Sequence, residues 1–356
     1  MGIGASGPFT TPQEARDRIA SIFGGIGLMT AASPAVTANM AAGLVPKGRI
    51  GCLGGAVLDR KYHARNPLIA ATSNPARGSR SFGGVARNVA ENLARLGVET
   101  CFVSVVGDDE GGRALLSQLR DLGVDVSSVG LIDGHPTAEY VAILGPDNDL
   151  ALGIADMDVF EAFGPEMLDR IWEALAACDW VFIDCNLPAE TIAALMARKS
   201  EARFRLAVDT VSSPKALRLP ENLAAIDLLF TNVDEANTLL GLDPAARLSA
   251  TEAAVALRGR GAADVVVTMG ARGSAIVTEA GARFQDAFPA RPVDITGAGD
   301  AMIAGTLFAL VAGASLDDAA RTGALVAAMT VESPFSVRPD LSPDMLADLP
   351  VPPSAR

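Results

Sequence analysis

The chain has 356 residues, a formal net charge of −13 and a pI near 4.7. With 49% hydrophobic and 20% charged residues it can bury a sizeable core, which excludes wholesale disorder. The acidity excludes a polyanion face for DNA or RNA, and 5% aromatics are too few to stack bases along a single strand. A small anion remains open, because glycine loops and helix N-termini bind phosphate without net positive charge. Four scattered cysteines, Cys52, Cys101, Cys178 and Cys185, form no C-x-x-C pair. They read as reduced thiols of a cytoplasmic protein.

Between Arg18 and Lys47 the chain carries no charge, but Pro34 and many small residues interrupt it. It lacks the roughly 20 apolar residues in a row that a membrane span needs. Residues 1–47 therefore read as a flexible extension, with no membrane partner.

The regular pattern begins near Arg49. Ile50–Val57 reads as one buried, glycine-rich strand, followed by turn-rich residues around Pro67, Asn74-Pro75 and Gly78. Helical spacing from Val85 to Leu96 stops at Gly97, and from Gly111 to Leu122 at Gly123. Thr100–Val106 reads as a strand between them, and Glu139–Leu144 as an exposed one. Further strands are expected at Trp180–Ile183, Arg205–Val208, Leu228–Thr231 and Val265–Thr268. Helices are expected at Glu166–Ala177 and Glu252–Arg258, after Gly299, and from Leu316 to about Thr330. This alternation predicts an α/β fold, a mostly parallel sheet with helices on both faces. Ligands of such sheets bind beyond the C-terminal strand ends.

Val293-Asp294-Ile295-Thr296-Gly297-Ala298-Gly299-Asp300 places small residues before a helix, so that successive N–H groups face one anion. Asp300 stands at the helix entrance. A carboxylate there suits removing a proton from a hydroxyl that attacks a phosphoryl group. An Asp helix cap would look the same. Far upstream, Phe82-Gly83-Gly84-Val85-Ala86-Arg87-Asn88 puts two glycines before a helix whose first turn carries an amide.

Together these segments resemble the two signatures of the PfkB (ribokinase-like) carbohydrate kinases. Within that family the likeness is greatest to pseudouridine kinases, through Ala155-Asp156-Met157, Asp184-Cys185-Asn186 and Asp209-Thr210-Val211-Ser212 with Lys215. It runs from about Arg49 to Leu341. It implies a three-layer α/β/α kinase domain over residues 48–345, with a small β lid from residues 60–81 and 133–157. Residues 346–356 form a tail.

The resemblance also implies roles. Asp300 is the base, and Gly297, Ala298 and Gly299 form the anion hole. Asp59, Gly83, Gly84 and Asn88 hold the sugar, Thr137, Tyr140 and Asp156 approach the base, and Asn186 faces substrate. Lys215, Asn232, Thr268, Gly270, Gly273 and Thr296 border ATP, and Glu235 organises Mg²⁺ indirectly. Asp294, Ile295 and Ser333 match a monovalent-cation site, K⁺ in relatives. The implied substrate is a small nucleoside, and relatives commonly pair as homodimers through the lid. On the residues alone, Asn232-x-x-Glu235 equally reads as an N-cap with its capping-box partner.

The chain departs from the family at Val57, where relatives carry Asn, at Phe230-Thr231, where they carry Lys-Pro, and at Ala86, where many carry Gly. The expected activity is 5′-phosphorylation of pseudouridine by ATP. The alternatives are a sister kinase for ribose, adenosine or a keto-deoxy sugar acid, and a silent ligand-binding protein. A dinucleotide site at Gly51–Gly55 lacks the G-x-G-x-x-G spacing.

Overall fold

The computed structural model describes residues 45–347, so the expected extension and tail lie almost wholly outside the described residues. Eight strands form the central sheet, in the order β14-β13-β12-β11-β10-β9-β1-β4. Of these, β1 (Arg49–Leu53), β4 (Glu99–Val103), β9 (Trp180–Asp184), β10 (Arg205–Asp209), β11 (Leu228–Asn232) and β12 (Asp264–Thr268) run parallel. The antiparallel hairpin β13 (Ser274–Thr278) and β14 (Gly281–Gln285) extends one edge.

Alternation along each strand feeds two cores. On β9, Val181 and Ile183 join one cluster with Leu206 and Val208 of β10, while Trp180 and Phe182 join the other. Helices α1 (Val85–Arg95) and α8 (Ala298–Val311) cover the second face. Helices α3 (Glu166–Ala176), α4 (Ala189–Arg198) and α7 (Ala250–Gly259) cover the first. The expected three-layer arrangement is therefore present. Among the described residues no helix is long and apolar enough to cross a membrane.

A second sheet, in the order β3-β2-β7-β8, forms the lid. It comprises β2 (Val57–Ala64), β3 (Ala76–Gly83), β7 (Glu139–Leu144) and β8 (Leu150–Asp156). The expected single strand Ile50–Val57 is in fact two. The chain leaves the central sheet at Gly54, whose φ is +146°. A Cβ there would stand 2.3 Å from the Asp184 carboxyl, so only glycine lets the backbone pass. Thr100–Val106 is likewise interrupted, at Ser104, whose hydroxyl donates to the Gly54 carbonyl at 2.6 Å. Both breaks sit where the lid joins the body.

Candidate active site

Strands β9, β10, β11 and β12 end on Asp184, Asp209, Asn232 and Thr268. Register sets Asp209 beside Asp184 and Asn232 beside Thr268 along one sheet edge. Asp300 enters this edge from the first turn of α8. The N-cap of that helix, Gly297, has φ +82°, and a Cβ on it would lie 1.9 Å from the Ser336 carbonyl oxygen. Around Gly299 an added Cβ meets nothing within 4 Å, so this side of the turn is open.

Half-buried Asp300 accepts a hydrogen bond of 2.7 Å from Asn88 Nδ2. Burial lifts its pKa to about 7, against the pull of the Asn88 bond, and the carboxylates of Asp184 and Asp59 push the same way as burial. That value suits a base working near neutrality. The orientation of Asn88 is itself fixed. Its Oδ1 accepts from Arg87 Nη1 at 2.7 Å, which turns its amide nitrogen towards Asp300. Arg87 is buried and also donates to the Phe82 carbonyl, Gln118 and Glu91.

From the lid, Asp59 faces the same space. Burial raises its carboxyl to about 6, although Lys61 and Arg87 draw it down. A Cβ on Gly83 would stand 2.1 Å from this carboxylate, so the first glycine of the pair makes room for Asp59. Gly84, at φ +97°, approaches the Gly55 carbonyl too closely for a side chain. Tyr140 is the register partner of Asp59, so the two share a face of the lid. The Tyr140 ring leans over Gly153, where a Cβ would come within 2.7 Å of its hydroxyl.

The opposite end carries the residues expected at the nucleotide. Buried Glu235 accepts from Thr210 Oγ1 at 2.6 Å and from Asn232 Nδ2 at 2.6 Å. Asn232 caps α6 (Val233–Leu239) in a capping box, so the local cap and the functional position coincide. Burial pushes the Asp209 carboxyl well above its usual range, reinforced by Glu235, Asp300 and Asp184. Val211 sits at φ +64°, a strained value for a β-branched residue, and donates its N–H to Asp209 at 2.9 Å. Thr268 Oγ1 donates to the Thr231 carbonyl at 3.4 Å. Gly270 opens to free space at φ +59°, whereas Gly273, at φ +90°, lets the loop pass the Gln285 carbonyl.

Lys215 and Asn186, expected at ATP and at substrate respectively, are brought into direct contact, the ammonium donating to Asn186 Oδ1. Burial lowers the Lys215 pKa, with Asp184 opposing.

Two lid expectations are relocated. Thr137 is buried, and its hydroxyl accepts from Gly107 N–H at 3.1 Å and donates to Asp109 at 2.8 Å, fastening the lid to the N-cap of α2 (Glu110–Asp121). Asp156 pairs with Glu139, whose register partner is Leu58, not Asp59. It therefore stands on the other face of the lid, with Asp158 N–H within 3.5 Å of its carboxylate. At the cation-site positions, Asp294 accepts from Thr296 and from Lys61 Nζ, the Ile295 carbonyl accepts from Ala298 N–H, and Ser333 Oγ accepts from Phe335 N–H.

Residues without a role in the sequence reading also prove central. Asp184 is fully buried and accepts three backbone N–H groups, from Gly55 at 2.9 Å, Ala86 at 2.8 Å and Asn186 at 2.8 Å. It ties the lid junction, α1 and its own turn together. Asp209 and Arg87 belong with it. The signal for both acids was an Asp at the end of an apolar run in a parallel sheet.

The chain matches the pfkB family carbohydrate kinases over residues 49–340. It is 30% identical to the pseudouridine kinase of Escherichia coli over 293 residues, 82% of this chain and 92% of that one. It is 27% identical to the ribokinase of Haemophilus influenzae, over 70% of this chain and 81% of that one. A carbohydrate kinase from Agrobacterium tumefaciens superposes with a TM-score of 0.73 at 33% identity, covering 84% of this chain and 95% of that one. Ribokinase of Arabidopsis thaliana, in complex with ribose and ATP, has the same fold, with a TM-score of 0.74 at 24% identity over 85% of this chain and 99% of that one. With a carboxylate set beside an open glycine turn and a family match spanning the described sheet, this chain belongs to the pfkB family of carbohydrate kinases, phosphotransferases with a hydroxyl group as acceptor.

Proposed function

We propose that the chain transfers the terminal phosphoryl group of ATP to the 5′-hydroxyl of pseudouridine. The observation that carries this reading is the shared lid face of Asp59 and Tyr140 above Asp300. An ionised Asp59 can accept two ribose hydroxyls at once. Beside it, an aromatic ring with small Gly153 and Ala155 as neighbours suits a flat base, which a free sugar does not need. The Escherichia coli relative supports the choice of nucleoside.

In this reading Asp300 removes the 5′-hydroxyl proton as the oxygen attacks the phosphoryl group. The N–H groups of Gly297, Ala298 and Gly299 meet the charge that develops on the transferring oxygens. Lys215, Asn232, Thr268, Gly270, Gly273 and Thr296 border the nucleotide.

The site fits Mg²⁺ carried with the nucleotide. Glu235 already accepts from Thr210 and Asn232, which suits holding a hydrated ion through water. Asp209, Glu235, Asp184 and Asp300 repel one another across one buried edge, a field that a divalent ion relieves. When bound, that ion neutralises charge on the phosphates.

Pseudouridine retains an N1–H that uridine lacks, so one lid acceptor distinguishes them. With Thr137 engaged and Asp156 facing away, the Tyr140 hydroxyl is the acceptor on the correct face. Leaving such an acceptor unpaired costs roughly 1–3 kcal/mol. A panel of pseudouridine, uridine, adenosine, cytidine and ribose with ATP and Mg²⁺ tests the proposal. kcat/KM for pseudouridine is expected to exceed that for uridine by about ten- to a hundredfold. Tyr140→Phe should narrow the gap. Equal or better turnover of any other acceptor overturns the choice of pseudouridine and leaves the kinase in place.

A further inference from the structure

Lys61 lies in the middle of β2, hydrogen-bonded on both sides by the ladder, with Ser79 as partner in β3 and Ala142 in β7. Its backbone is therefore held by the sheet rather than by a loop. Its side chain leaves the lid on the Asp59 face and crosses to the body. There Nζ stands 2.9 Å from Asp294 Oδ2 and 3.5 Å from Thr296 Oγ1. Asp294 Oδ1 is already taken by the N–H of Thr296 at 2.8 Å and its hydroxyl at 2.6 Å. The Ile295 carbonyl serves Ala298, the first residue of α8, at 3.3 Å.

The resemblance offered Asp294, Ile295 and Ser333 to a monovalent cation. Here the Asp294 carboxylate meets an ammonium of the chain itself and has both its oxygens engaged, while the Ile295 carbonyl and Ser333 Oγ accept from backbone N–H groups. The residues present do not fit a separate ion.

We propose that the Lys61 ammonium is the built-in cation of this kinase, holding the Asp294–Thr296 turn and so positioning the anion hole of Gly297–Gly299 in place of a monovalent ion. Two consequences follow from the geometry. Asp294 is neutralised where a polyphosphate must approach, so it does not repel the nucleotide. The turn preceding α8 is also tied to the strand that carries Asp59, two residues away, so sugar-holding and phosphoryl-holding groups keep one spacing. Lys61 acts through the turn, as a positioning residue. The inference rests on the kinase reading and not on which nucleoside is the acceptor.

The test compares wild type, Lys61→Met and Lys61→Arg in KCl and in tetramethylammonium chloride at equal ionic strength. Wild-type turnover and melting temperature should agree between the two salts, turnover within about twofold, since no ion is needed. Lys61→Met should lose about ten- to a hundredfold in kcat in tetramethylammonium, the scale of a lost charge-assisted hydrogen bond, while acceptor KM changes little. K⁺ or NH₄⁺ should restore part of that loss and raise the melting temperature of Lys61→Met but not of wild type. Lys61→Arg should keep most activity in either salt.

A wild type that needs K⁺, by more than tenfold in kcat or by a clear K⁺-dependent rise in melting temperature, overturns the proposal. So does a Lys61→Met protein that is fully active without K⁺. The melting readout requires no acceptor, so failure of the pseudouridine assignment cannot be mistaken for failure here. If Lys61→Met does not fold, the wild-type salt comparison decides alone.

Discussion

Replacing Asp300 by Asn separates chemistry from stability in a way that a merely capping aspartate would not reproduce. The carboxyl titrates at about 7 in the folded protein against an ordinary value of 3.8, burial being the main cause. Because the folded value is raised, the folded state holds a proton that the unfolded chain releases between these two pH values. Asp300 therefore costs stability increasingly as pH rises from about 4 to 7, and the full cost is present above 7. Moving the carboxyl from 3.8 to about 7 corresponds to ~4 kcal/mol. Asp300 keeps some contact with solvent, so a third to a half of this, about 1.5–2 kcal/mol, is the expected gain of Asp300→Asn at pH 8. For a domain of this size that is a rise of about 2–4 °C in Tm, shrinking by roughly half at pH 5.5. Meanwhile kcat should fall by about 10²–10⁴-fold. In the wild type, kcat/KM should decline below about pH 7 as the base takes up its proton. Scanning calorimetry at the two pH values and a steady-state pH profile read both effects. A variant that is less stable at pH 8, or that loses under tenfold in kcat, refutes the reasoning.

Gly297→Ala should cost about 1–3 kcal/mol in urea unfolding and lower kcat sharply, because φ +82° is retained only with strain and the new Cβ meets the Ser336 carbonyl. Unchanged stability would show that the turn relaxes freely. Asp184→Asn should destabilise by roughly 1–3 kcal/mol, since an amide has one oxygen for N–H groups that approach both carboxylate oxygens, and its NH₂ faces a donor. An unaltered denaturation midpoint would remove Asp184 from its bracing role.

The central sheet was legible because its strands are short apolar runs and its helices end on glycines. Gly97 and Gly123 do close α1 and α2, at φ +78° and +83°. The lid was harder to read, since β3 is mostly exposed with no apolar alternation, and β8, where Leu150, Leu152 and Ile154 do alternate, is exposed along its whole length. Their existence depends on pairing with β2 and β7, which local pattern does not report. The break at Gly54 was hidden for a related reason. What forces it is the Asp184 carboxylate, a contact separated by well over a hundred residues. The hairpin β13–β14 adds antiparallel strands to a parallel sheet, and only its neighbour β12 gives it a place.

At the site, the G-A-G-D and double-glycine segments were visible because their chemistry is local: a turn, a helix start, a side chain in the first turn. The partnership between them is not local. Asn88 reaches Asp300 only because α1 and α8 pack on the same face of the sheet, and Arg87 selects which end of the amide points there. Asp156 shows the reverse. The resemblance set it at the base with Thr137 and Tyr140, yet a strand displays alternate residues to opposite faces, and register with Glu139 puts it on the face away from Asp59.

The electrostatics were the least legible part, and they explain why the site is built as it is. Asp184, Asp209, Glu235 and Asp300 come from separate junctions, and each is unremarkable in sequence. Brought to one edge, burial raises Asp184, Asp209 and Asp300, and neighbouring carboxylates add to the rise of Asp209 and Asp300, while Arg87 opposes it at Asp300 and burial lowers Lys215. Such a cluster is unfavourable in the empty protein, so a ligand that brings positive charge relieves it on binding. The raised pKa of Asp300 follows first from burial and only then from the neighbouring carboxylates. In the proposed reading a single arrangement thus supplies both a carboxylate basic enough to take a hydroxyl proton and a place where the metal ion of the nucleotide relieves negative charge, with the N–H groups of Gly297–Gly299 kept for the phosphoryl oxygens.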